Sequence, residues 1–159
     1  RILDICLGAH DLFTRSADLE IERRKAVSDL LDDNSFCLVS PATAQGPYRL
    51  SLSLQDDKLL LQTACIKSGH QDTLGLSLLP FKQHIQDYTI LCANFYKTAR
   101  AGQLHKLETI DAGRRCIHDE AAAVLAEALE NKVILDKATA RRLFSLLYVL
   151  HMRSTPAIN

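Results

Sequence analysis

YRLSLSLQDDKLLLQTAC, residues 48–65, decides the fold. Tyr48, Leu50, Leu52 and Leu54 alternate with Arg49, Ser51 and Ser53. A period of two gives one buried and one wet face, the pattern of an antiparallel sheet. Asp56-Asp57 makes the turn, and KLLLQTACI (58–66) returns as the partner strand. KSGHQD (67–72) is another turn and TLGLSLL (73–79) a further strand. Upstream, FCLVS (36–40) is strand-like, followed by a loop broken by Pro41, Gly46 and Pro47. These neighbours joined by short turns predict a meander. ILDICL (2–7) adds a first strand, so the sheet is expected to be antiparallel with four to five strands. No repeated β-α-β pattern is present.

Helices fill the rest. Ser16 or Asp18 can cap a first helix running to about Asp33, with Leu19, Val27, Leu30 and Leu31 as its core stripe. Pro80 suits a helix start, where its missing N–H has no consequence. Phe81, Ile85, Tyr88, Cys92, Phe95 and Ala99 then form a stripe that ends near Gly102. A third helix covers 104–130, and NKVIL (131–135) is a short extended piece. Asp136 caps a last helix through Met152, whose FSLLYVL is apolar nearly all round and should be buried. The predicted order is β-α-β-β-β-β-α-α-α: a single α+β domain over 1–152, helices mainly on one face of the sheet, and a C-terminal tail at 153–159.

A chain of 159 residues is one domain's worth, able to bury roughly 68–70% of its unfolded surface. Lys plus Arg equals Asp plus Glu at 19 each, and this balance disfavours a protein built to grip nucleic acid or an anionic membrane. No run of apolar residues is long enough for a transmembrane helix, and RILDICLG is too short and too charged for a signal peptide. Cys6, Cys37, Cys65, Cys92 and Cys116 show no paired or zinc-type spacing. Their apolar settings point to buried, reduced, inert thiols in a cytoplasmic protein.

The chemistry concentrates in DAGRRCIHDEAAAVL, residues 111–125. On a helix, Leu107, Ile110, Ile117, Ala121, Val124 and Leu125 share one arc, and Asp111, Arg114 and His118 lie on that apolar side along one line. Arg115, Asp119 and Glu120 fall opposite, with Arg115 and Asp119 spaced for an i,i+4 pair. Buried charge requires a partner. The inward trio is therefore a structural network, a subunit interface, or a ligand or catalytic pocket. Arg114 is expected to bond Asp111, Glu20, Glu22 or a bound anion. In the first helix, Glu20 is spaced to pair with Arg23 or Arg24. Arg141 and Arg142 open the last helix, where the dipole disfavours cations, so they are either two solvated arginines or partners of Asp111, Glu20, Glu22, or a bound phosphate or carboxylate.

Standard constellations are missing. The six histidines are scattered without HxxxH or HExxH, so no metal site and no cofactor is expected. No GxSxG elbow, phosphate loop or aromatic stacking platform occurs. Cys116 and His118 face different ways on a helix and make no dyad.

Several segments, in order, carry a resemblance: DLEIER (18–23), DLLDDNSF (29–36), GPYRLSLS (46–53), LSLLPFKQHIQDYTILC (76–92), IDAGRRCIHDEA (110–121) and TARRLFSLLYVLH (139–151). The chain resembles a bacterial family of uncharacterised proteins, UPF-0262, from about Leu3 to His151. By that resemblance Glu20, Glu22 and Arg23 match the family's first helix, and Tyr48 and Arg49 its GPYRL strand. Asp111, Arg114, Arg115, His118 and Glu120 match its D-x-G-R-R-x-x-H-x-E helix, and Arg141 and Arg142 its TARRLF. Two departures stand out: Leu79 replaces the usual capping serine before Pro80, and Cys116 replaces a frequent glycine. The resemblance implies a self-contained domain and brings no activity with it.

The function that follows is a non-catalytic binding or interaction domain, whose partner is another protein, a second copy of itself or a small anionic ligand. The alternative is a small enzyme or anion-binding protein, using Arg114, His118 and Asp111 with Arg141 and Arg142.

Overall fold

A computed structural model describes residues 1–8 and 17–154. The elements are β1 (Ile2–Leu7), α1 (Ala17–Asp32), β2 (Phe36–Leu38), β3 (Tyr48–Gln55), β4 (Lys58–Cys65) and β5 (Gln71–Ser77). A 3₁₀ turn (Leu79–Phe81), α2 (Lys82–Arg100), α3 (Leu104–Ala128), β6 (Val133–Leu135) and α4 (Lys137–Ser154) complete them. The class is α+β, as the sequence implies.

The hairpin at the centre follows its alternation. Tyr48, Leu50 and Leu52 on β3 and Leu59 and Leu61 on β4 are buried, while Arg49 and Gln62 are exposed. Asp56 and Asp57 take φ values of 51° and 60°, the left-handed pair that a two-residue hairpin turn requires. β4 pairs antiparallel with β3 and β5.

The sheet is mixed rather than wholly antiparallel. Its order is β1-β3-β4-β5, and β1 runs parallel to β3. Parallel neighbours need a crossover, which α1 supplies, so one β-α-β unit sits at the edge. β2 leaves the meander and pairs antiparallel with β6 in a separate two-stranded ribbon. Two local ties make that exchange. Tyr48 N–H bonds the Arg1 carbonyl at 2.8 Å, giving β1 the edge of β3. Asn34, buried, accepts from Ile2 N–H at 2.7 Å and donates to the carbonyls of Ile2 (2.9 Å) and Leu30 (2.7 Å).

The helices pack as the stripes predict, with local differences. α1 buries Leu19, Ala26 and Leu30, with Val27 and Leu31 partly covered. Ser16, one of its two predicted caps, lies outside the described residues; Asp18 pairs with Arg100 at 3.0 Å. The α2 stripe is buried at Ile85, Tyr88 and Cys92 but emerges at Ala99. Gly102, at φ +71°, ends the turn after it. Asp136 caps α4, its Oδ1 accepting from Thr139 N–H at 2.8 Å; the Thr139 hydroxyl first, opposed by burial and assisted by that backbone bond, holds the Asp136 carboxyl below its ordinary range. From Leu143 to Leu150, α4 is buried on every side. It continues through residues 153 and 154, where the tail was expected, and residues 155–159 lie outside the described residues.

Candidate functional site

α1, α2, α3 and α4 enclose an open cleft of about 670 Å³. Of the residues singled out in the sequence, Asp111, Arg114, Arg115, His118, Arg141 and Arg142 line it. Glu20, Arg23, Arg49 and Glu120 are not among its lining residues. Glu20 is engaged by Arg23 Nε at 3.0 Å and Arg24 Nε at 2.9 Å. Arg49 points outward from β3 opposite Asp4. Glu120 lies 3.6 Å from His84 and is exposed.

The inward trio finds its partners inside the protein. Arg114 donates to Glu22 at 3.3 Å and to Asp111 at 3.1 Å. Its guanidinium also lies 4.0 Å from the Phe95 ring centroid, a cation–π contact. Glu22 in turn accepts from Tyr88 (3.3 Å) and Tyr96 (3.2 Å). One carboxylate thus joins α1 to α2 and α3. Burial first, and Glu22 second, pushes the Tyr96 hydroxyl up to about 12 and the Cys92 thiol up to about 11. Both therefore stay protonated, and Tyr96 remains a donor to Glu22.

His118 is 9% exposed, held between the Tyr88 and Phe144 rings at 5.6 and 5.5 Å. Its Nε2 is 2.7 Å from Ser145 Oγ, and its buried Nδ1 has no hydrogen-bond partner among the described residues. Burial, with Arg141 and Arg114 assisting and Asp119 opposing, pushes the imidazole down to about 4. At neutral pH the floor of the cleft is therefore uncharged.

Two pairings differ from expectation. Arg115 bonds Asp111 at 3.4 Å rather than Asp119. Asp119 instead meets Arg141 at 2.9 Å, with Lys137 at 4.0 Å. Both candidates lie one turn from Arg115 on α3; α4 brings Arg141 to Asp119, and Arg115 closes on Asp111, whose acid-before-base order along the helix is the favoured one. Among the described residues no carboxylate pairs with Arg142, which donates to the Asp33 carbonyl at 3.3 Å. Arg1 does the same to the carbonyls of Leu31 (3.1 Å) and Asp32 (3.3 Å), so two cations sit at the negative end of α1.

Sequence reasoning did not place Ile21, Lys25, Asp29, Tyr88, Phe95, Tyr96 or Ser145 at a site, although all line the cleft. Tyr88 and Phe95 belong to the α2 stripe read as core, and Tyr96 lies beside it. Ser145 offered one signal, a lone hydroxyl inside an apolar run four residues from Arg141. The cysteine expectation also needs correction. Cys65 and Cys92 are buried, but Cys6 and Cys116 are exposed, on the outward side of β1 and α3. Among the described residues no three His, Cys, Asp or Glu side chains gather into a group that could hold a metal. Nor is any described helix long and apolar enough to cross a membrane.

Comparison with known proteins gives one consistent result. The family model described as "Uncharacterised protein family (UPF0262)" matches residues 1–153. A UPF0262 protein of Erythrobacter litoralis is 41% identical over 155 residues, spanning 96% of this chain and 97% of its own. One from Rhizobium etli is 40% identical, covering 96% of each chain. One from Cereibacter sphaeroides is 42% identical over 142 residues, covering 86% and 88%. No solved structure matches the chain. With its whole described length matched by one family model and its relatives covered nearly end to end, the chain belongs to the UPF0262 family.

Proposed function

We propose that the protein is a non-catalytic binding domain whose cleft takes a small anionic ligand, with Arg141, Arg142, Arg115 and Lys25 as the groups that attract it. One observation carries this reading: five cations, Lys25, Arg114, Arg115, Arg141 and Arg142, line the cleft against three carboxylates, Glu22, Asp29 and Asp111. Asp119 narrows the excess by pairing with Arg141, and Asp136 acts on Arg142 only through its field, yet among the described residues no carboxylate closes on Arg142, which donates to a backbone carbonyl. An arginine engaged through one nitrogen retains further N–H donors for a carboxylate or phosphate. The volume lies within the ordinary range for small-molecule sites.

The enzymatic reading has its own support in the 2.7 Å contact between His118 and Ser145, which has the length of a nucleophile–base pair. The electrostatics oppose it. A general base works best with a pKa near the working pH, and His118 is pushed down to about 4. No carboxylate of the described residues orients its second nitrogen. Binding without turnover is the better reading.

Thermal melts with and without millimolar phosphate test it. Phosphate should raise the melting temperature of the wild-type protein, less so as salt is added. Arg142→Ala should lose that rise. A melting temperature unmoved by phosphate, and equally unmoved in Arg142→Ala, would remove the anion site.

A further inference from the structure

Charge runs the length of the cleft, but its exposed apolar surface gathers at one end. At one end Arg142 reaches the Asp33 carbonyl past the end of α1, and Arg141 stands beside Asp119. At the other, Arg114 ties Phe95 and Tyr96 of α2 to Glu22 near the start of α1. Ile21 adjoins that end. It lines the cleft, yet it is 52% exposed, a large aliphatic side chain left in water inside a charged rim. From Ile21 to Asp29 the helix rises about 12 Å at 1.5 Å per residue. A cavity of 670 Å³ has the volume of roughly twenty liquid waters at about 30 Å³ each. An inorganic oxyanion fills a small part of that.

Resting on the anion-binding reading above, we propose that the ligand is an organic acid: a carboxylate or phosphate head at Arg141 and Arg142, and an apolar body lying over Ile21, Phe95 and Tyr96. The head meets Arg142, the cleft cation that no carboxylate of the described residues closes on. The body covers Ile21 and the edges of the aromatic wall, releasing water from apolar surface. The floor between them, neutral His118 and Ser145, penalises a second charge placed midway. A body of about ring size or a short alkyl chain fits the span between the two ends.

Matched probes separate the parts. Isothermal titration of the wild-type chain compares inorganic phosphate with phenyl phosphate, and acetate with hexanoate. Each bodied probe should bind at least about tenfold more tightly than its bare head, since fully burying a ring or alkyl group is worth about 1.5–3 kcal/mol. Whichever pair binds better identifies the head as phosphate or carboxylate. Ile21→Asp alters an exposed position and should fold normally; its added charge weakens every anionic probe somewhat, and it should erase the tenfold gain, so that each bodied probe binds no better than its bare head. Arg142→Ala should weaken both members of a pair alike. Equal affinity for bare and bodied probes would overturn the organic-acid inference and leave the anion site standing. Full retention of the gain in Ile21→Asp would overturn it too. Self-association of the wild-type protein in sedimentation, abolished by Ile21→Asp, would assign the Ile21 wall to a second copy instead and overturn the inference. Failure of all four probes to bind, with Arg142→Ala behaving as wild type, would sink the underlying reading as well.

Discussion

Arg114 shows how one side chain can serve structure inside a cleft. It is 17% exposed and Glu22 is 14% exposed, so neither charge is fully hydrated. Arg114→Ala leaves Glu22 with two tyrosine hydroxyls and no cation, and Asp111 with Arg115 alone. The expected loss is about 3 kcal/mol, the low end for breaking a buried pair because some water reaches it; urea unfolding checks it. Arg114→Lys should recover little, since an ammonium cannot bond two carboxylates and cover the Phe95 face together. A lysine variant as stable as wild type would contradict that geometry. His118 contributes through pH. Its folded pKa is lowered from 6.5 to about 4, so between those values the unfolded chain binds more protons. Stability is therefore complete above pH 6.5 and falls as pH drops towards 4, by up to about 3 kcal/mol at 1.36 kcal/mol per unit. His151, also lowered by burial, acts in the same direction. His118→Gln should flatten this acid limb in urea titrations at pH 7 and pH 5; an unchanged slope would assign the acid sensitivity elsewhere.

At the scale of elements, what was legible in the sequence was what depends on near neighbours. The alternation at 48–54, the Asp56-Asp57 turn, the Asp136 cap and the stripe from Phe81 to Cys92 all follow from local spacing, and the structure has each of them. Pairing between distant segments was not legible. A short strand such as ILDICL carries no mark of its partner or its direction. The decision rests on Asn34, a polar residue in the loop after α1 that the sequence gives no reason to single out. Its three bonds hold Ile2 and the end of α1 together. Asn34→Ala should leave the Ile2 carbonyl without its Asn34 donor and its N–H without an acceptor, costing about 3 kcal/mol. The damage should be local, with amide exchange rising first in β1 while β4 and β5 keep their protection. Uniform loss across the sheet would mean that Asn34 does not act through the parallel edge. The cleft was half legible for the same reason. Asp111, Arg114 and His118 share a helix and could be grouped by spacing, and Arg141 and Arg142 announced themselves by their place in the dipole. Their assembly with Ile21, Tyr96 and Ser145 depends on how three other helices dock.

Across the whole molecule, burial is uneven in a way that bears on function. The centre of the core is β3, β4 and α4, where Leu50, Leu52, Leu59, Leu61, Phe144, Leu146 and Leu147 are all buried. α3 runs out of that centre: Ala121, Ala122 and Leu125 are buried, whereas Leu104 is 70% exposed and Leu107 and Ile110 are only partly covered. The outer half of α3 is held to the rest by α2 and by charged contacts, chiefly Arg114 with Glu22. Segments with few buried apolar contacts open at lower free energy than the core. Hydrogen exchange should therefore show residues 104–112 exchanging through local opening, and residues 143–150 only through global unfolding. Arg114→Ala should widen that gap by loosening the outer half of α3 more than α4. A bound acid should act in the reverse sense, because it would touch α1, α3 and α4 together and stabilise the closed arrangement by mass action. The expected signature is added protection in residues 104–118 and 21–29 with phenyl phosphate, and none in β5, which lies away from the cleft. Equal protection along all of α3 in the unliganded chain would show that charge contacts hold the outer half as firmly as the core holds the inner one.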